Sequence, residues 1–231
     1  MFVWRPKKQL SAEIHSHVAF FQSTDLTTVE NIKENDVLLT LMSTLTLNGL
    51  LVLKSAINHV PPTYSMRRKD FQGFSLRSVI IHEIMATCAS ECCLTLSDVY
   101  FYVSFLERHC PKFISTSEFL PKDKLWKLCD GCRYRYAKFL SPPLQCCLNC
   151  SEDVTMHNPP SKPTLFTLEG PIPASKITLE CKDCGISYGI GRYADKTGLQ
   201  YYPKSVAVDL IEVTNTTYMS PYLCRWLPSL R

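Results

Sequence analysis

This 231-residue sequence has few or none of the features that identify secreted, membrane-spanning or highly charged proteins. The first ten residues contain Trp4, Arg5 and Pro6 with no apolar segment behind them, so we expect no signal peptide and an intracellular chain with reduced thiols. The uncharged stretch at 37–53 contains several polar side chains. It is also shorter than a membrane span, which needs about 20 mostly apolar residues. The stretch therefore predicts a buried helix and no membrane partner.

A strong excess of charge of one sign is also missing. The formal net charge is only +4, and the window Lys122 to Lys138 carries an equal excess, with six basic residues against Asp123 and Asp130. Each zinc ion held by four thiolates would add a net charge of about −2. Attraction of the whole chain to nucleic acid is therefore weak, and we expect any such contact to be local.

The basic window is the candidate nucleic-acid site, because its cations alternate with aromatic side chains. The candidate contacts are Lys124, Lys127, Arg133, Arg135 and Lys138, interleaved with Trp126, Tyr134, Tyr136 and Phe139. Cations suit phosphates, and aromatic faces suit bases. In a strand, the run 133–136 would place both arginines on one face and both tyrosines on the other. The same pattern also describes an edge strand with buried tyrosines and solvated arginines.

What the sequence does contain is cysteine: 12 in all, with three Cys-x-x-Cys pairs between positions 129 and 184. The pairs are Cys129/Cys132, Cys147/Cys150 and Cys181/Cys184. Two intervening residues allow both sulfurs of a pair to face the same ion, so a pair supplies half of a tetrahedral site. Two pairs together predict a structural zinc site of four thiolates, with no position left for water or substrate. Three other cysteines lie on a predicted helix and are expected to behave as small buried apolar residues: Cys88, Cys92 and Cys93. The same is expected of Cys224 near the end of the sequence.

Two pairings of these motifs remain open. Joining Cys147/Cys150 to Cys181/Cys184 leaves the segment 151–180 for the strands of a zinc ribbon, and Gly185 suits the left-handed turn after the second pair. Joining Cys129/Cys132 to Cys147/Cys150 across the shorter segment 133–146 is close to a common finger spacing. We favour the ribbon. In that case two interpretations of Cys129/Cys132 stay open. The pair forms a second site, with Cys146, Cys110, His109 and His157 as candidate partners, or it forms only a turn at Asp130-Gly131 without a metal.

Patterning predicts an α+β protein with a helical N-terminal part (1–115) and a β-rich, zinc-ribbon-like C-terminal part (116–231). The helices are expected over 26–60 with a break at Asn48-Gly49, over 75–92, and from a cap at Ser97-Asp98 to about His109. Short β-prone runs lie at 164–168, 176–179 and 206–213, with turns at Gly170-Pro171 and Gly198.

The C-terminal part resembles the cysteine-cluster domains associated with KDZ (Kyakuja-Dileera-Zisupton) transposases. The resemblance covers about 125–224 and is carried by the runs 165–174 and 179–184, by several tyrosines and by 208–213. These tyrosines are Tyr188, Tyr193, Tyr201, Tyr202 and Tyr218. The resemblance implies a zinc-binding accessory module with Cys147, Cys150, Cys181 and Cys184 as its ligands. It also implies that the module contacts DNA, a transposase or a chromatin protein in the nucleus.

No motif in the sequence predicts an enzyme. His82-Glu83 begins like a zinc-protease helix, but Ala86 stands where the second histidine would be. We therefore expect no catalytic residues and no small-molecule substrate. The alternative function is a zinc-stabilised scaffold for protein partners without nucleic-acid binding, for which the proline-rich run 159–173 is a candidate docking segment.

Overall fold

The computed structural model describes residues 41, 44–66, 73–115, 138–206 and 209–226, in which helices come first and strands follow. The α+β class is therefore confirmed. The α-helices are α1 (Leu47–His59), α2 (Leu76–Cys88), α3 (Leu96–His109), α4 (Pro111–Ser115) and α5 (Pro221–Trp226), with short 3-10 helices at Pro62–Ser65 and Ser90–Cys92. Among the described residues, no helix combines the length and the apolar content that crossing a membrane requires.

Helix α1 begins just before the dipeptide at which a break was expected. The Thr46 side chain accepts a hydrogen bond from the Gly49 amide at 3.1 Å and so caps the first turn. Gly49 is inside the helix because another element passes close to it: a Cβ built there would lie 2.3 Å from Cys92 Sγ. The glycine thus marks a close approach. The expected break in the helix is present, but it lies at Leu45-Thr46, between helical Thr44 and α1, and not at Asn48-Gly49. The end of α1 at His59, ahead of Pro61-Pro62, is as expected.

Helices α2 and α3 differ from prediction mainly at their ends. Helix α2 stops at Cys88 and not at Cys92, because Ala89 is non-helical and Cys93 has a φ of 49°. Helix α3 is capped by Thr95, two residues before the expected position. Thr95 and Asp98 form a capping box, in which each side chain bonds to the other's backbone amide. The prediction included the correct aspartate but assigned it to the wrong position of the motif.

The helices enclose an apolar core in which many side chains are completely buried. These include Leu45, Leu53, Val60, Ile81, Val99 and Leu106. The buried Arg77 on α2 ties the end of α1 to α3. Its Nε and Nη2 donate to the carbonyls of Val60 (2.8 Å) and Ile57 (2.9 Å), and its Nη1 lies 2.7 Å from Glu107 Oε1. A buried guanidinium is tolerated here because its donors meet carbonyls and a carboxylate.

Among the described residues of the C-terminal part, ten strands form two five-stranded sheets. They are β1 (Lys138–Leu140), β2 (Thr155–Met156), β3 (Thr164–Thr167), β4 (Gly170–Lys176), β5 (Leu179–Glu180), β6 (Ser187–Tyr188), β7 (Arg192–Asp195), β8 (Gly198–Tyr201), β9 (Ile211–Thr214) and β10 (Thr217–Met219). The first sheet has the order β1-β4-β3-β10-β9, and the second has the order β2-β5-β6-β7-β8. The pairs β1–β4 and β3–β10 are parallel, and the others are antiparallel.

The predicted run 164–168 agrees with β3 to within one residue, and the other two predicted runs overlap strands without matching their bounds. The run 176–179 spans the end of β4 and the start of β5, and the end of the run 206–213 overlaps β9. Glycines mark two hairpins: Gly170 has φ +117° and Gly198 has φ +123°, and each begins the strand after the turn. The proline-rich run 159–173 is part of the first sheet, because β3 and much of β4 lie in it.

Tyr64 joins the helical part to the first sheet. It is fully buried, and its hydroxyl donates to the Ser175 carbonyl at 2.9 Å and lies 3.0 Å from Ser175 Oγ. Its ring meets Phe139 edge-on at 5.2 Å, and His59 meets the same ring at 5.0 Å. A single apolar cluster therefore runs from the helices into the residues of the second sheet. The proposed boundary at 115/116 falls beside 116–137, outside the described residues, and stays a prediction.

Candidate metal centre

Two tight turns built to one plan carry the candidate metal ligands. Knuckle one is the turn Cys147–Cys150, and knuckle two is the turn Cys181–Cys184. In each turn the amide after the second cysteine donates to the carbonyl of the first, from Ser151 at 3.0 Å and from Gly185 at 2.9 Å. Both closing residues are left-handed: φ is 63° for Ser151 and 67° for Gly185. The glycine was expected there, whereas the serine adopts a backbone that side chains disfavour.

The structure brings the four sulfurs of these knuckles into one cluster. All four Sγ atoms lie within 4.8 Å of one another, and those of Cys150 and Cys181 are 3.5 Å apart. A tetrahedral ion with metal–sulfur bonds of about 2.3 Å would separate its sulfurs by about 3.8 Å. All four cysteines are free, without disulfides. The spacing and the all-thiol donor set therefore fit a tetrahedral metal site.

Burial differs between the two cysteines of each knuckle in the same way. The first cysteines, Cys147 and Cys181, are buried, and the second ones, Cys150 and Cys184, are half-buried. Both first cysteines belong to the apolar cluster that reaches back to the helices. The site therefore has one side embedded in protein and one side toward solvent.

The hydrogen bonds to the sulfurs come from residues in or near both knuckles. The Tyr188 hydroxyl lies 3.1 Å from Cys147 Sγ, and the amide of Asn149 lies 3.4 Å from the same sulfur. The Asn149 side chain reaches across to knuckle two, with its Nδ2 3.3 Å from Cys184 Sγ. Such donors stabilise thiolate over thiol.

These contacts separate the acidities of two neighbouring thiols. Burial alone would raise the pKa of Cys147, but hydrogen bonds from Tyr188 and from backbone amides outweigh it and lower this pKa to about 6. The Glu152 amide acts to lower the pKa of Cys150, but hydrogen bonds shared with Cys184 and the other thiols raise it to about 12. In the metal-free cluster, Cys147 therefore ionises before Cys150.

The other predicted ligands and contacts are placed as follows. Cys129, Cys132, Lys124, Lys127, Arg133 and Arg135 lie outside the described residues. Lys138 is exposed at the start of β1. Of the candidates for a second site, His109 and the buried Cys110 lie at the end of α3, Cys146 is exposed, and His157 is paired with Glu180. Within the part of the chain that the structure describes, the four knuckle cysteines are the one group suited to an ion.

Four expectations about single residues need correction. Cys93 is exposed, and Cys88 and Cys224 are half-buried, so of these four cysteines only Cys92 is buried as expected. Phe139 cannot stack on a nucleic-acid base, because it is buried between Tyr64 and His59.

Two residues of the site were not identified from spacing. The sequence indicates Tyr188 only through the family resemblance, and Asn149 only as one of the two residues between Cys147 and Cys150. Tyr188 is the second residue of β6, the strand that follows knuckle two, and the sequence predicted no strand at that position. Its partner is 41 positions away, so sequence reasoning could not reveal the contact.

Comparison with known protein families gives a match over the part of the chain that contains the thiol cluster. Residues 128–230 match a family model described as a CxC5-like cysteine cluster associated with KDZ transposases. The resemblance expected from sequence is therefore confirmed for the C-terminal part. No curated protein and no solved structure matches the chain.

Proposed function

We propose that the C-terminal part is a zinc-binding, zinc-ribbon-like accessory module of a KDZ-type transposase, or of a derivative of one, and that it contacts DNA in the nucleus. The observation that carries the proposal is the convergence of four thiols within 4.8 Å, in a region that matches a transposase-associated cysteine cluster. The module is proposed to be non-catalytic, because sulfur would fill all four positions of a tetrahedral ion.

Zinc is the metal that this donor set favours. Thiolate ligands select soft or borderline ions, and a compact tetrahedron of four cysteines is typical of structural zinc. The order of knuckles and strands along the chain supports a zinc ribbon. Strand β5 leads directly into knuckle two, β6 follows it closely, and β2 follows knuckle one. The ion would then link two antiparallel strands that pair with each other over only a few residues.

The distribution of charge locates the proposed DNA contact. The described residues from 138 onward carry eight basic and eight acidic side chains, a net charge of zero with His neutral. Bound zinc with four thiolates would make this region negative by about −2. Contact with phosphates therefore has to come from the basic window 122–138, which precedes the first sheet. Lys138 is the member of that window that the structure describes, and it is exposed.

The test is binding of fluorescent duplex DNA over a range of salt concentrations. We expect affinity that falls steeply with salt, and a Lys124/Lys127/Arg133→Ala variant that is both weaker and less salt-dependent. A matched triple variant at three exposed lysines outside the window, Lys112, Lys162 and Lys204, should bind like the unsubstituted protein. Equal losses in the two variants would contradict a local contact.

A protein-binding scaffold is the second candidate, and one surface favours it. On the outer face of the first sheet, Phe166 lies opposite Pro171 on one side and Met219 on the other, and Met219 lies opposite Ile211. Phe166 and Ile211 are more than a third exposed. Exposed apolar rows of this kind are typical of protein contacts. Absence of DNA binding even at low salt would favour this function over the first.

A further inference from the structure

Tyr188 occupies an unusual position relative to the thiol cluster. It lies on β6, the strand that follows knuckle two, yet its hydroxyl contacts knuckle one. The side chain is fully buried, so the phenol oxygen has no access to water. Its two polar neighbours are Cys147 Sγ and the Leu148 amide, both at 3.1 Å.

The direction of these two hydrogen bonds follows from their chemistry. A backbone amide can only donate, so the Tyr188 oxygen accepts from Leu148. The phenol proton is then available for the remaining neighbour, Cys147 Sγ. A thiolate can only accept, so once Cys147 is ionised the bond must run from the phenol to sulfur. Tyr188 thereby holds both the sulfur and the backbone of knuckle one.

Asn149 makes the reciprocal contact in the opposite direction along the chain. It belongs to knuckle one, and its Nδ2 donates to Cys184 Sγ of knuckle two at 3.3 Å. Each half of the site therefore supplies one side-chain donor to a sulfur of the other half. Neither donor is itself a ligand, so both contacts are compatible with four metal–sulfur bonds.

We propose that Tyr188 and Asn149 are positioning residues of the metal centre, which hold the two knuckles in their binding arrangement and donate hydrogen bonds to ligand sulfurs. The inference rests on the proposed function in one respect, namely that the thiols bind a metal. It goes beyond that function by assigning affinity to residues that are not ligands. Loss of such a partner typically lowers metal affinity by about 10- to 100-fold.

The decisive variant is Tyr188→Phe, which removes one oxygen and preserves the ring. We expect zinc affinity, measured by competition with a chromophoric chelator, to fall about 10- to 100-fold. We also expect the sulfur-to-metal charge-transfer band of the Co²⁺-substituted protein to shift, because a sulfur without its donor is more electron-rich. The band reports on the sulfur itself, so a purely structural role for the ring would not move it.

Tyr193→Phe is the matched control. Tyr193 packs against Tyr188 with ring centroids 5.7 Å apart, and no contact of its hydroxyl with a thiol is present in the described residues. The control should leave both affinity and band unchanged. Asn149→Ala provides a second test that does not disturb the core, because Asn149 is exposed. It should weaken zinc binding by a smaller factor, since water can replace part of its hydrogen bond.

The outcomes separate the inference from the proposed function. If the unsubstituted protein binds neither Zn²⁺ nor Co²⁺, the proposed function itself is wrong. If that protein binds both ions and Tyr188→Phe leaves the Co²⁺ band unchanged, with or without weaker binding, the inference is overturned. A shifted band with weaker zinc binding, absent in Tyr193→Phe, supports it.

Discussion

Different interactions stabilise the helical region (44–115) and the β region (138–226). Helices α1, α2 and α3 have 13 or 14 residues each and bury a continuous set of aliphatic side chains. In the second sheet, β2, β5 and β6 have two residues each. Strands this short contribute few backbone hydrogen bonds and little apolar contact. The thiol cluster lies where these strands meet.

The difference indicates what each region requires in order to fold. A helical core depends on the volume and burial of many apolar side chains, and no one of them is indispensable. The β region concentrates its stabilisation at one point, because one ion would connect two knuckles that are well separated in the sequence. The two regions are nevertheless in contact, since buried Cys147 and Cys181 belong to the same apolar cluster as the helices.

The largest effect is expected from Cys181→Ser, which removes a buried ligand. Binding of a structural zinc ion contributes roughly 10–16 kcal/mol in small zinc modules. The variant should lose the ion, and the amides of the second sheet should lose protection from hydrogen exchange, while those of α1 to α3 keep it. Cys93→Ser, at an exposed cysteine of the helical region, is the control. Unchanged metal content, by native mass spectrometry, and unchanged protection would rule out an ion as the link.

A smaller effect, on the other side of the comparison, is expected from Leu53→Ala. Leu53 on α1 is fully buried, and such truncations cost about 2–5 kcal/mol. Thermal unfolding followed by helical circular dichroism should shift to lower temperature, while metal content per folded chain stays the same. Leu47→Ala, at a side chain 57% exposed on the same helix, should change stability by less than about 0.5 kcal/mol. Loss of metal in the Leu53 variant would show that the two regions fold as one unit.

The smallest effect is expected from Tyr64→Phe, at the junction between the regions. The substitution removes the hydroxyl that donates to the buried Ser175 carbonyl, at a cost of about 1–3 kcal/mol. Unfolding of the helices and release of the metal should then occur at more widely separated denaturant concentrations. Tyr100→Phe, at a side chain 48% exposed on α3, provides the control. Transitions that remain as close as in the unsubstituted protein would mean that Tyr64 does not couple the regions.

Local signals in the sequence predicted much of the helical region. Pro61-Pro62 ends α1 because proline cannot continue a helix, and Pro111 follows the end of α3 for the same reason. The errors came from contacts between distant segments. Gly49 reads as a helix breaker, but the nearby Cys92 sulfur makes a residue without a side chain necessary inside α1. A one-dimensional pattern contains no information about that approach.

In the β region the cysteine spacing was more informative than the strand patterns, of which only the run 164–168 closely matches a strand, β3. Strands of two to four residues are too short for an alternating pattern to develop, so their bounds and order were inaccessible. Phe139 illustrates the same limit. Beside basic residues it looked like a base-stacking aromatic, but contact with Tyr64, from a distant part of the chain, buries it.

By itself the sequence determined the chemistry: the thiols come in pairs because two residues between cysteines turn both sulfurs toward one point, and the apolar periodicity of the first half makes helices. Only the tertiary structure decided which pairs meet, and which other groups touch them. Tyr188 and Cys147 are 41 positions apart, and only the folding of β6 beside knuckle one brings the phenol within 3.1 Å of the sulfur. Local spacing depends on covalent geometry, whereas such contacts depend on the packing of the whole chain.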